Sequence, residues 1–132
     1  EVPLARQLAL HGPADADVTL VGWGSTKGAI LEAMEELAQD GLVCNFLQMR
    51  IMRPFPTDAV AEILKRARRT VLVENNYSGQ LGLLIREHTG ISLDRWVVKY
   101  DGRPFSQEEL AEGLRRALTG EAARVAVSHL SA

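Results

Sequence analysis

Alternating strand and helix signals joined by short connections predict an α/β fold, a three-layer arrangement of a mostly parallel sheet with helices on both faces. Three observations carry this prediction. Four apolar runs have the length and composition of buried strands: Val18 to Gly22, Val43 to Met49, Thr70 to Glu74 and Trp96 to Val98. The segments between them repeat apolar residues at helical spacing. The joints carry the residues that stop or redirect a chain, namely Gly41, Pro54, Pro56 and Gly90.

Each element has its own warrant. From Ser25 to about Asp40 the apolar positions are Ile30, Ala33, Met34 and Leu37, and Gly41 ends the run. Pro54 and Pro56 break the chain after the second strand, and Thr57 is the expected N-cap of the next helix, with Asp58 favourable against its positive end. That helix shows Ala59, Val60, Ile63, Leu64 and Ala67 on one face. Ser78 is the expected cap of a helix with Leu81, Leu84 and Ile85 as its apolar side. Ser106 and Glu109 form the S-x-x-E capping box ahead of Leu110, Leu114, Ala117 and Leu118. Residues 1–120 read as the domain and 121–132 as a loosely packed tail.

At 132 residues the chain is long enough to bury one core, and 46% hydrophobic with 24% charged residues is a globular composition. A net charge of -2 with scattered basic residues argues against nucleic-acid binding. No apolar run approaches the roughly 20 residues of a membrane span, and no signal peptide opens the chain, so a cytoplasmic protein is expected. The first residue, Glu1, suggests a piece of a longer polypeptide. The single cysteine, Cys44, sits in an apolar run and is expected to be a buried, inert thiol. His11, His88 and His129 are dispersed without metal-ligand spacing, and Trp23 and Trp96 read as packing residues.

A parallel sheet offers ligands and partners the carboxyl ends of its strands. Here these ends are Gly22 to Ser25, Met49 to Arg53, Glu74 to Gly79 and Tyr100 to Arg103. The segment Gly22-Trp23-Gly24-Ser25-Thr26-Lys27-Gly28 joins a strand to a helix, but the dinucleotide fingerprint wants glycine or alanine where Lys27 stands. No acid ends the second strand, where Gln48, Met49 and Arg50 occur. A tight turn with Ser25 as N-cap is the favoured reading. Glu74-Asn75-Asn76-Tyr77-Ser78-Gly79-Gln80 is more polar than a turn requires, and both turn chemistry and a contact surface account for it. Arg50 and Arg53, flanking Ile51 and Met52, suit either a solvated surface or a subunit contact.

These motifs together resemble a known family. Ala16 to Ser25 is similar to the opening of the transketolase C-terminal domain shared by thiamine-dependent enzymes. Gly24 to Gly28, Arg53-Pro54-Phe55-Pro56, Val73 to Leu81 and Lys99 to Phe105 resemble the alpha subunit of 2-oxoacid:ferredoxin oxidoreductases. The first of these motifs is specific only to the superfamily, whereas the last two together are specific to the alpha subunit. The resemblance runs from about residue 4 to 118.

It implies a five-stranded sheet whose first strand, within Leu4 to Leu10, is antiparallel to the rest. It also implies a parent reaction, oxidative decarboxylation of a 2-oxoacid to acyl-coenzyme A with reduction of ferredoxin. Thiamine diphosphate, Mg2+ and an iron–sulfur cluster are expected in the full complex and none in this domain. The Gly-Asp-Gly turn of a thiamine site is missing, since Asp101-Gly102 follows Tyr100, and no asparagine follows Asn76. The expected role is that of a non-catalytic scaffold, with the preceding thiamine-binding domain and a beta subunit as partners, and with ferredoxin and coenzyme A engaged by the complex. Interface or substrate-channel contacts are expected at Arg50, Arg53, Glu74, Asn75, Asn76, Tyr77 and Gln80. Two alternatives stand beside this: the C-terminal domain of another thiamine enzyme, such as a 2-oxoacid dehydrogenase beta subunit or transketolase, and a stand-alone nucleotide-binding module.

Overall fold

A computed structural model describes residues 3–50, 53–75, 79–99 and 103–127. A helical turn, α1 (Leu4–Gln7), leads into β1 (Leu8–His11), and then come β2 (Val18–Trp23), α2 (Lys27–Gln39), β3 (Cys44–Met49) and α3 (Thr57–Arg66). The second half supplies β4 (Thr70–Glu74), α4 (Gln80–Thr89), β5 (Arg95–Lys99), α5 (Gln107–Thr119) and β6 (Arg124–Val127). The strands form one sheet in the order β1-β3-β2-β4-β5-β6. Among the described residues only the β1–β3 pair is antiparallel, with Leu8 opposite Met49 and His11 opposite Phe46. All other pairs are parallel.

The α/β class and the antiparallel first strand agree with the sequence reading, and the differences lie at the sheet edges and the helix starts. The described residues form six strands rather than five. The sixth falls in the segment read as a loosely packed tail, where Val98 pairs with Ala126 and both Val125 and Val127 are buried. The first strand begins at Leu8, because Leu4–Gln7 coils before it.

Period-two alternation sends side chains of each strand to opposite faces. On one face Val18, Leu20, Phe46, Val71, Val73 and Val97 pack under α2 and α5, meeting Ile30, Leu37, Leu110 and Leu114. On the other, Val21, Leu47, Met49 and Leu72 meet Val60 and Leu64 of α3 and Leu81 and Ile85 of α4. Cys44 is buried, and burial with the nearby Asp17 charge pushes its thiol up to about 11, which makes it inert at neutral pH.

The helix starts depart from expectation where a hydroxyl lacks the geometry to cap. Thr57 is the first helical residue and Pro56 the cap; Thr57 Oγ1 reaches back to the Phe55 carbonyl at 3.5 Å instead. Ser25 lies inside a 3-10 turn, Gly24–Thr26, that runs straight into α2, and Thr26 Oγ1 donates to the Trp23 carbonyl at 2.7 Å. Gly79, not Ser78, precedes α4 with φ 64°, and Ser78 is outside the described residues. A side chain at Gly79 would be strained by that φ and would strike the Trp96 ring. The capping box of α5 forms as expected: Glu109 N–H donates to Ser106 Oγ at 3.1 Å, and Ser106 N–H to Glu109 Oε1 at 3.0 Å. Ser106→Ala is expected to cost about 1 kcal/mol in a denaturant melt.

Candidate functional site: the carboxyl edge of the sheet

The strand ends of β2, β3, β4 and β5 open on one edge, and the structure sorts the candidate residues there into those that hold the edge and those that face outward. Glu74 is in the first group. It is 2% exposed, accepting from Leu81 N–H at 2.9 Å through Oε1 and from Trp23 Nε1–H at 3.3 Å through Oε2. Its carboxylate thus occupies the positive start of α4, where an anion is favoured, and ties that helix to the end of β2. Burial raises the pKa of this carboxyl group, and the bonds from Leu81 and Trp23 only partly oppose the rise.

Tight packing supports the same corner. A Cβ at Gly22 would lie 2.9 Å from the Val73 carbonyl, so only glycine lets β2 approach β4 at its end. Trp96 of β5 lies under Gly79 and Gly82, and the Arg124 guanidinium sits 4.3 Å above its ring. The two tryptophans thus do pack, and each also fixes a polar neighbour.

Arg50 and Arg53 are both exposed but differ in commitment. Arg50 donates to the Ala5 carbonyl at 2.9 Å and to Gln48 Oε1 at 3.3 Å, pinning α1 to the end of β3. Arg53 precedes a cis peptide to Pro54, whose carbonyl accepts from Gln7 Nε2 at 2.6 Å. Phe55 is half-buried and stacks on His88 with ring centres 4.3 Å apart. Asn75 is half-buried and Gln80 exposed at the start of α4. Asn76 and Tyr77 lie outside the described residues, as do Ile51, Met52, His129 and the segment 100–102.

Lys99 was not singled out by sequence reasoning. Its side chain is 2% exposed, with Nζ 3.0 Å from Glu109 Oε1, 2.8 Å from the Pro104 carbonyl and 5.9 Å from the centre of the Phe105 ring. Glu109 therefore serves both the α5 cap and an ion pair. Burial works to raise its pKa, but the bonds from Ser106 and Lys99 outweigh that and hold it below the usual carboxylate range. A lysine directly after the apolar run Trp96 to Val98 was the available signal.

Chemically the edge supplies hydrogen-bond donors, exposed arginines and amides on a rigid base. Among the described residues no group of three His, Cys, Asp or Glu is placed to hold a metal ion, and no helix is long and apolar enough to cross a membrane.

Comparisons with known proteins agree with this architecture. Residues 9–91 match the family described as Transketolase, C-terminal domain. The chain is 42% identical over 97% of its length to subunit alpha of 2-oxoacid:ferredoxin oxidoreductase 2 from Aeropyrum pernix, covering 20% of that protein. It is 36% identical to the 2-oxoacid:ferredoxin oxidoreductase subunit alpha of Saccharolobus solfataricus, over 87% of this chain and 18% of the relative. The chain thus spans about a fifth of the curated relatives it matches. Among solved structures it resembles the 2-oxoglutarate:ferredoxin oxidoreductase of Magnetococcus marinus, solved with 2-oxoglutarate, coenzyme A and succinyl-CoA bound (TM-score 0.73, 26% identity, 85% of this chain and 20% of that one). It also resembles the alpha chain of a probable 2-oxoacid ferredoxin oxidoreductase from Thermoplasma acidophilum (TM-score 0.62, 35% identity, 87% of this chain and 99% of that one). The strand order, the lone antiparallel pair and these relatives lead to one assignment: the chain belongs to the transketolase C-terminal domain family, in the form carried by alpha subunits of 2-oxoacid:ferredoxin oxidoreductases.

Proposed function

We propose that this domain is a non-catalytic scaffold of a cytoplasmic 2-oxoacid:ferredoxin oxidoreductase, presenting the carboxyl edge of its sheet to the rest of the complex. The complex as a whole would oxidise a 2-oxoacid to its acyl-coenzyme A and pass electrons to ferredoxin, with thiamine diphosphate as the electron sink for the decarboxylated carbanion. The observation that carries the reading is the edge itself, where Arg53 and Gln80 face outward on a base fixed by Glu74, Trp23 and Trp96. The thiamine-binding domain of the same polypeptide and a beta subunit are the partners this edge would meet.

The residues of this chain do not fit the cofactors of the complex. An iron–sulfur cluster needs several thiolates, and here the one cysteine is buried with its thiol held protonated. The Gly-Asp-Gly turn that would hold magnesium and diphosphate is replaced by Tyr100-Asp101-Gly102. No step of the reaction is assigned to residues of this domain. Titration calorimetry is accordingly expected to detect no micromolar binding of thiamine diphosphate or a dinucleotide by the 132-residue chain; such binding would favour a nucleotide or cofactor module over a scaffold.

The contact surface is tested by substitution in the full-length alpha subunit. Arginine pairs with carboxylates in a bidentate fork that lysine cannot copy. Arg53→Lys is therefore expected to weaken assembly with the beta subunit, or turnover, by on the order of tenfold, the equivalent of one good charged contact. The melting of the domain should be nearly unchanged. Size-exclusion chromatography of the reconstituted complex beside thermal melts separates the outcomes. Unchanged assembly and turnover would remove Arg53 from the interface, and an unfolded domain would make it structural.

A further inference from the structure

The amino end of the sheet, opposite the edge that the scaffold role uses, holds a cavity of about 70 Å³ between the first three strands and the last turn of α3. Thr19 and Asn45 line it, together with Leu10, Ile63, Ala67 and the exposed Arg66. Thr19 stands opposite Asn45 in the parallel β2–β3 pair, and both are 3% exposed. Period-two alternation puts them on the α3 face of the sheet, in rows continued by Val21 and Leu47.

Only half of the Asn45 amide is accounted for. Its Nδ2 donates to the Pro13 carbonyl at 2.9 Å. A carbonyl can only accept, so this bond fixes which way the amide points, nitrogen toward Pro13 and oxygen away from it. Oδ1 is buried and has no hydrogen-bond partner among the described residues. An acceptor in that state is costly, and the next inward positions of the same strand, Leu47 and Met49, are apolar. A polar atom kept in such a row beside a cavity points to a ligand that donates to it. That requirement excludes an anion. No carboxylate lines the cavity, and Arg66, whose partner Glu62 lies 2.8 Å away, keeps positive charge beside it, so a cation has no charged ligand there. Thr19 adds a hydroxyl that can both donate and accept.

We infer that this cavity binds a small neutral hydroxyl compound, whose O–H donates to Asn45 Oδ1 and whose oxygen accepts from the Thr19 hydroxyl. A carbon tail would lie against Leu10, Ile63 and Ala67. A cavity of roughly 150 Å³ admits benzene, so this one has room for about two to four non-hydrogen atoms. Solvent water and a short alcohol share the required chemistry, and the experiment below tells them apart. The inference stands apart from the scaffold role. The cavity lies at the far end of the sheet from Arg53 and Gln80, so either reading can fail without the other.

The test is NMR of the isotopically labelled 132-residue chain, first in water and then with ethanol or xenon added. A held water tumbles with the protein, so its NOE and ROE cross-peaks to the Thr19 methyl and the Asn45 side-chain amide should have opposite signs. Ethanol is expected to extinguish these peaks and to shift the Thr19 and Ile63 methyl signals to saturation. Half-saturation should fall on the order of tens of millimolar, as suits three non-hydrogen atoms. Held water that ethanol does not displace would assign solvent as the occupant, and displacement would assign an organic hydroxyl. Xenon fills apolar cavities without hydrogen bonding and should leave the water in place. Thr19→Val keeps the shape of the side chain but removes the hydroxyl, and it should weaken ethanol binding, or the hold on water, by about tenfold. Three results would each overturn the inference: neither held water nor a saturable ethanol response, displacement of the water by xenon, or a folded Thr19→Val chain that behaves like the parent. If Thr19→Val does not fold, Ala67→Leu decides, because it fills the cavity from the end of α3 and must abolish both signals.

Discussion

Lys99→Met is expected to be the most damaging single change at the carboxyl edge, costing about 3–5 kcal/mol in equilibrium unfolding. The loss is larger than that of an exposed ion pair because Lys99 is 2% and Glu109 15% exposed at the side chain. Removing Nζ withdraws the cationic partner of Glu109 Oε1, which keeps the Ser106 N–H alone, and the donor to the Pro104 carbonyl. Glu109 Oε2 is already buried and has no partner among the described residues, so the carboxylate has little left to balance its burial. The effect should depend on pH in a stated direction. The pKa of Glu109 is lower in the folded than in the unfolded chain. The native state therefore binds fewer protons than the unfolded one, and the contribution is complete above the unfolded pKa and lost as pH falls through the folded pKa. The gap between parent and Lys99→Met should accordingly narrow on acidification. Adding Glu109→Gln to Lys99→Met should recover part of the loss, since it removes the unpaired charge. A gap that stays constant across the acid range would show that the lysine matters through packing alone.

The parts of this molecule that were legible in the sequence are those whose signal is local and repeated. The four central strands are apolar on both faces and read as continuous runs, and the α5 cap is written in two residues three apart. The edge strands were harder. β1 and β6 have four residues each and one neighbour in the sheet, so Arg124–Val127 carries only Val125 and Val127 as buried positions and looks like a tail. The β1 register depends on His11 finding Phe46 thirty-five residues on, which no local pattern encodes.

The same reasoning separates the candidate site residues. Glu74, read as a residue to be touched, has a partner seven residues away in α4 and another fifty-one residues back at Trp23. Strand-end polarity alone could not distinguish a carboxylate turned inward from one facing solvent. Glu109 was visible as a capping residue and Lys99 only as the residue that follows the apolar run Trp96 to Val98, and their pairing depends on how the chain returns between β5 and α5. Arg50 carried an ambiguous signal that the structure resolves into a bond to Ala5 and another to Gln48. Local chemistry identifies the polar edge, and the topology decides which of its residues support and which face out.

Glu74→Ala is the second large loss, expected at about 2–3 kcal/mol, because it strips the acceptor from two donors at once. The Leu81 N–H at the start of α4 is buried and would be left without a partner, and the Trp23 ring would lose its tie to β4. Glu74→Gln should be much milder, within about 1 kcal/mol of the parent at neutral pH. Its amide oxygen can still accept from Leu81, and the neutral side chain escapes the burial cost that raises the carboxyl pKa. What it loses is the bond to Trp23, since an amide N–H would then face an indole N–H. The pH dependence runs opposite to that of Glu109. With its folded pKa above the unfolded one, Glu74 binds its proton more tightly in the native state, so its contribution to stability declines as pH rises through the carboxylate range up to the raised folded pKa. Glu74→Gln should remove that decline, and the near-ultraviolet signal of Trp23 should change in both variants because its N–H partner is altered. Denaturant melts at several pH values, with Trp96→Phe as background to isolate Trp23, would check the ordering. If Glu74→Gln proved as costly as Glu74→Ala, the negative charge at the start of α4, rather than the accepting oxygen, would be what holds this corner together.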